Sequence, residues 1–157
     1  MSAWFKHSLR VRYGETDRMA VVYHTNYINW FEIGRTEWIR HTGLAYRAIE
    51  ERGLLLPVVN LECSYIQPAR YDDVVTVFTR VTEFTKVRIR FEYQVLLGDY
   101  TDGGAEAECA EVPEGKVLAR GASLHGWINN NWKVVALDRT APEIYELIKR
   151  TIGGEAK

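Results

Sequence analysis

Two carboxylates, Glu15 and Asp17, sit in the polar stretch Tyr13-Gly-Glu-Thr-Asp17-Arg-Met-Ala. Tyr23-His24-Thr-Asn-Tyr27 follows directly. From there the apolar residues recur at intervals of three and four: Tyr27, Trp30, Phe31, Gly34, Trp38 and Ile39. That spacing lines one side of a helix, so a carboxylate loop runs straight into a helix start. The first turn of a helix carries unpaired N–H groups and the positive end of a dipole. Those donors stabilise negative charge developing on a carbonyl oxygen. A neighbouring carboxylate attacks the carbonyl carbon or draws a proton from water. The plainer reading is that Glu15 and Asp17 satisfy backbone groups of a turn. Spacing alone leaves both open.

The elements that position this segment follow from periodicity. Phe5, His7, Leu9, Val11 and Tyr13 alternate with polar residues, as in a half-buried first strand. Thr25 or Asn26 is expected to cap the aromatic helix and Gly43 to release it. Ala45 to Arg52 reads as a shorter helix. Strands follow over Leu56 to Ile66, around Val75, Val77, Thr79 and Val81, and around Val87, Ile89, Phe91, Tyr93 and Val95. The stretch from Gly98 to Gly115 reads as an extended hairpin with Asp102 and Gly103-Gly104 at its tip. Leu118 to Ile128 and Trp132 to Leu137 are expected as strands and Ala141 to Arg150 as a closing helix, with Gly153 to Lys157 frayed. One strand, one long helix and then consecutive strands indicate an α+β domain, not an alternating nucleotide-binding sheet.

The chain has 157 residues with 20 basic and 21 acidic side chains. That length suits a single domain over 1–157, and the charge balance gives no general pull toward nucleic acid. Met1 to Arg12 is polar and basic, without a signal-peptide core, and no stretch has the length of a membrane span. A soluble cytoplasmic protein is the expectation. Cys63 and Cys109 are too few for a disulfide scaffold and lack metal-ligand spacing; Cys63 reads as a buried inert thiol. There is no Gly-x-x-x-x-Gly-Lys loop, no His-Glu-x-x-His and no Gly-x-Ser-x-Gly elbow.

The stretch RVRYGETDRMAVVYHTNYINWFEIGRTEWI resembles the signature of the 4-hydroxybenzoyl-CoA thioesterase-like family of the hot-dog superfamily. Asp17 matches the second, catalytic aspartate of that pattern. Asn26-Tyr27 matches its Asn-Tyr pair, and Phe31-Glu32 a frequent helical step. Tyr65 to Asp73 and the strand after Thr85-Lys86 extend the resemblance over most of residues 5–139. Two positions depart from the pattern: Glu15 stands where aspartate is frequent, and Ala20 replaces a usual glycine, so reshaping of the loop is expected there.

The resemblance implies a hot-dog fold, an antiparallel β-sheet wrapped around a central α-helix. It also implies hydrolysis of an acyl-CoA thioester to a free acid and coenzyme A, and pairing into homodimers or homotetramers. Asp17 then acts as nucleophile or general base, and the His24 backbone N–H polarises the carbonyl. Tyr27, Trp30 and Phe31 are candidates to meet the acyl group, although the same stripe suits ordinary core. Glu32 is a candidate to orient water or Asp17, or else pairs with a cation. Lys86 and Arg88 are candidates for the phosphates of coenzyme A, against the alternative of a solvated strand face. No metal or cofactor is needed, because a thioester is already activated. Two alternatives stay open: an acyl-thioester hydratase or dehydratase, and a non-catalytic acyl-CoA-binding protein.

Overall fold

The computed structural model describes residues 2–101 and 107–153. Chain order begins with strand β1 (Trp4–Arg10), helix α1 (Thr25–His41), helix α2 (Tyr46–Glu51), the short strand β2 (Leu54–Leu55) and β3 (Val58–Tyr65). Next come β4 (Val74–Phe84), β5 (Arg88–Leu97), the short β6 (Glu108–Cys109), β7 (Val117–Gly126) and the short β8 (Ile128–Asn129). Helices α3 (Leu137–Thr140) and α4 (Pro142–Ile152) complete it. Six strands form one antiparallel sheet in the order β3-β7-β5-β4-β1-β6, and β2 pairs with β8 separately.

Alternation decides which side of the sheet meets α1. Val77, Thr79 and Val81 of β4 and Ile89, Phe91, Tyr93 and Val95 of β5 are all buried. Arg80, Glu92, Arg90 and Glu62 point the other way and pair in ion bridges. Trp30, Phe31 and Trp38 bring the α1 stripe onto the inner side, each at most 1% exposed. A side chain of this size contributes roughly 1.5–3 kcal/mol when fully buried. Glycines allow the close approach: a Cβ on Gly34 would collide with Val77 and Thr79, and one on Gly121 with the Phe31 ring. Gly43 takes the left-handed conformation at φ 96° that ends α1.

Some sequence expectations need correction. No side chain caps α1; the Asn26 amide instead donates to the Glu15 carbonyl (2.8 Å). Cys63 lies on the edge strand β3 and is only half-buried. Trp132 to Leu137 does not form a strand. The Asn129 side chain accepts from the Asn131 and Lys133 N–H groups, and Trp132 turns left-handed at φ 59°. Only Val134 bridges back to Ile128, and Leu137 already begins α3. In the segment after β5, Glu108–Cys109 pairs with β1, and Trp4, Phe78 and Leu96 form a small second core beneath it. The expected hairpin tip at Asp102 to Gly104 and the tail beyond Gly153 lie outside the described residues.

A buried polar chain threads the inner side. Arg35 donates to the Tyr93 hydroxyl (3.5 Å), and Tyr93 and Ser123 share a 2.6 Å hydrogen bond. Ser123 meets His125 Nε2 at 2.7 Å, and His125 Nδ1 meets the Leu56 carbonyl at 3.3 Å. A carbonyl only accepts, so Nδ1 carries the proton and Nε2 accepts from Ser123. The Tyr93, Ser123 and Nδ1 protons then each have an acceptor only while the imidazole is neutral. Burial, reinforced by the nearby Arg35 cation, lowers the His125 pKa to about 4 from the ordinary 6.5.

The folded form therefore resists a proton that the unfolded chain accepts below pH 6.5. Protonating His125 costs the folded form about 3 kcal/mol. Stability is therefore full above pH 6.5 and falls by that amount as pH drops from 6.5 to 4. Replacing His125 with a non-titrating side chain (H125Q) is expected to lower stability at pH 7 but to flatten this dependence. Urea midpoints at pH 7 and 4.5 check it: an unchanged pH slope in H125Q contradicts the assignment.

Candidate active site

The link between β1 and α1 folds into a small hairpin. Thr16 bridges Val22, the Asp17 N–H donates to the Val21 carbonyl (2.9 Å), and the Ala20 N–H returns to the Asp17 carbonyl (3.0 Å). The turn demands a left-handed residue, and Ala20 supplies it at φ 63°. Ala20 itself adopts the positive φ, at a cost of roughly 1–2 kcal/mol for a residue with a Cβ.

Glu15 anchors the hairpin to the helix. Its carboxylate, 7% exposed, accepts from the Trp30 indole N–H (2.8 Å) and from the Arg12 backbone N–H (2.8 Å). Its carbonyl accepts from the Tyr23 N–H and the Asn26 amide. Sequence reading treated Glu15 as a turn residue and missed this role. Asp17, half-buried, accepts from the Met19 N–H through Oδ1 (2.8 Å). Its Oδ2 meets no protein donor among the described residues.

At the helix start the backbone accounting is uneven. Val22 N–H donates to Ala69, Tyr23 N–H to Glu15, and Asn26 N–H to Tyr23. The N–H groups of His24 and Thr25 meet no protein acceptor among the described residues. With no capping side chain, they stay open to a ligand.

Beside them lies an open groove of about 260 Å³, lined by Val22, His24, Tyr27, Tyr65, Ile66, Gln67 and Pro68. The Tyr27 ring stands edge-on to Tyr65 at 5.3 Å. Its hydroxyl accepts from the Ala69 N–H (2.9 Å), and burial raises its pKa. Tyr65 donates its hydroxyl to the His24 carbonyl (2.8 Å). Its own pKa is pushed up to about 12, first by desolvation and then by Cys63.

Tyr27 and His24 are thus brought to one groove, and Asp17 stands on the adjoining hairpin without lining it. Trp30 and Phe31 stand behind Tyr27 in the core, Phe31 stacked on Tyr93 at 4.5 Å. Glu32 is exposed on α1. Lys86 and Arg88 are not brought to the groove. Lys86 lies in the β4–β5 turn, and Arg88 sits 3.7 Å from Glu83. Tyr65 lines up with Val95 through Ala119. The run from Arg88 to Val95 along β5 is roughly 23 Å of strand. Larger hollows of 350 and 780 Å³ lie on the outer side of the sheet, lined by charged residues such as Arg120, Glu92 and Glu111. The groove at α1 has the more apolar wall.

Among the described residues no cluster of His, Cys, Asp and Glu has the makings of a metal site, and no helix is long and apolar enough to cross a membrane. The sequence matches the family described as the thioesterase-like superfamily over residues 11–143. YneP of Bacillus subtilis is 38% identical over 90 residues, 57% of this chain and 65% of YneP, just short of two thirds of that protein. The acyl-CoA thioesterase YbgC of Haemophilus influenzae is 33% identical over 114 residues, covering 72% of this chain and 84% of YbgC. The crystal structure of a DHNA-CoA thioesterase from Staphylococcus aureus superposes with a TM-score of 0.81 at 26% identity, covering 98% of this chain and 97% of that one. Sheet, central helix and sequence agree: the chain belongs to the thioesterase-like hot-dog superfamily of thioester hydrolases, among the members of 4-hydroxybenzoyl-CoA thioesterase type.

Proposed function

We propose that the chain hydrolyses an acyl-CoA thioester to the free acid and coenzyme A at the mouth of α1. The observation that carries this is the uncapped helix start, whose His24 and Thr25 N–H groups are open beside an apolar groove. The hairpin bearing a half-free Asp17 carboxylate adjoins them. The names of YbgC and of the staphylococcal enzyme support the substrate class.

In this reading the His24 N–H holds the thioester carbonyl, and the charge that grows on its oxygen meets the positive end of α1. Asp17 either adds to the carbonyl carbon, giving an anhydride that water opens, or takes the proton of a water that adds directly. Both routes expel the thiolate of coenzyme A, and neither needs a metal. Tyr27 contacts the acyl group, and Trp30 and Phe31 support Tyr27 from the core. Free-thiol release from benzoyl, phenylacetyl, short-chain and long-chain acyl-CoAs tests the reading. Absence of release from every one contradicts it.

The proposal includes a homodimer or homotetramer. Strand β3 is an eight-residue edge of the sheet, with Val58, Val59, Leu61 and Tyr65 exposed. Long apolar edges invite pairing with another chain. Antiparallel pairing of β3 with a second copy would set that copy's Arg88 end beside the Tyr65 end of this one. Lys86 and Arg88 would then approach the phosphates of coenzyme A across the interface. Light scattering is expected to give two or four times 18.1 kDa, and the mass of one chain would contradict it. Free Cys63 and Cys109 fit a reducing cytoplasm.

A further inference from the structure

We propose that Tyr65 is a positioning residue, whose hydroxyl holds the His24–Thr25 peptide in the orientation that a substrate carbonyl requires. The inference rests on the thioesterase reading of this groove and deepens it. Tyr65 is the last residue of β3 and comes from the opposite side of the groove to α1. Its phenol donates to the His24 carbonyl at 2.8 Å across 41 residues of sequence. Its ring packs edge-on against both Tyr27 (5.3 Å) and the His24 imidazole (6.1 Å). One side chain thus both walls the groove and grips the backbone at the helix mouth.

The grip matters because no other side chain among the described residues provides it. Helix starts are ordinarily fixed by a capping side chain, and α1 has none. Upstream, Tyr23 and Asn26 are tied down through Glu15. Between them the His24 and Thr25 N–H groups are free, so the hydroxyl of Tyr65 is the side-chain contact that sets this peptide plane. A carbonyl that accepts a hydrogen bond also polarises its own peptide unit, which makes the N–H on the far side a better donor. That N–H is Thr25's. Tyr65 therefore tunes the Thr25 donor directly, reaches the His24 N–H of the preceding peptide only by holding the His24 backbone in place, and touches no reacting atom.

The test compares wild type, Y65F and Y65L on the best substrate of the acyl-CoA panel, with D17N alongside. Y65F keeps the ring and removes only the hydroxyl. It is expected to lower kcat about tenfold, a fraction of what losing a whole carbonyl donor costs, with KM within about twofold and the melting temperature little changed. The Thr25 amide proton resonance of the substrate-free protein is expected to move upfield. Y65L also removes the wall and is expected to raise KM as well. Wild-type kcat and an unmoved Thr25 resonance in Y65F overturn the proposal. So does a loss of activity in step with a loss of folded protein. If wild type turns over, D17N does not and Y65F behaves as wild type, the role of Tyr65 fails while the thioesterase reading stands. If wild type releases no thiol from any substrate, both fail.

Discussion

Asp17→Asn protein is expected to fold as wild type does and to release thiol from acyl-CoA at least ~100-fold more slowly, the usual cost of removing a positioned acid or base. Folding should survive because only Oδ1 has a structural task, accepting the Met19 N–H in the turn. An asparagine carbonyl accepts that bond equally well. What disappears is the charge: the amide is neither a nucleophile toward a carbonyl carbon nor a base toward water. KM should change little, because Asp17 does not line the groove wall. Steady-state kinetics beside a circular dichroism melt checks this, and a folded D17N with wild-type turnover removes Asp17 from the chemistry.

Replacing Glu15 acts the other way, mainly on stability. Its carboxylate accepts two hydrogen bonds, from Trp30 and Arg12, and bonds to a charged group are worth roughly 1.5–3 kcal/mol each. Removing it also leaves the buried indole N–H of Trp30 without an acceptor. After the desolvation that a buried carboxylate itself suffers, E15A is expected to cost about 3 kcal/mol. For a domain of this size that is a melting temperature lower by about 10 °C. E15Q should not restore it, since one end of the amide is a donor and would face an N–H. Activity should fall with stability, because the Glu15 side chain fixes the hairpin against α1 through Trp30, and the backbone carbonyl it holds in place is the acceptor for Tyr23 and Asn26, which flank the open N–H groups. A thermal melt of E15A within about 2 °C of wild type would deny Glu15 this anchoring role.

The sequence made the sheet and its central helix legible because their signals are local. Alternation at Val75, Val77 and Thr79 and again at Ile89, Phe91 and Tyr93 marks strands by period two. The Tyr27-to-Ile39 stripe marks α1 by period 3.6, and Gly43 marks its end. The same stripe could not say which of its aromatics meets a ligand. Tyr27 reaches the groove, while Trp30 and Phe31 are closed in by the sheet. Lys86 and Arg88 look like a basic cluster in sequence, but strand length carries them to the other end of the sheet.

What remained illegible depends on pairing across the fold. Glu15 meets Trp30, fifteen residues on, only because the hairpin folds back over α1. Tyr65 reaches His24 only because β3 lies along the sheet edge beside the helix mouth. Neither partnership has a periodic signature. Ala20 shows the complementary limit: its residue type argues against a left-handed turn, yet the hydrogen bonds of the hairpin impose one.

The most direct measurement is a crystal structure with a ketone analogue of acyl-CoA, in which a methylene separates sulfur from carbonyl so that hydrolysis is blocked. The predicted result has the ketone oxygen about 3 Å from the His24 or Thr25 backbone N–H, the Asp17 carboxylate facing the carbonyl carbon, and the acyl group against Tyr27. An analogue bound on the charged outer side of the sheet would contradict the account, as would one with Asp17 turned away from its carbonyl.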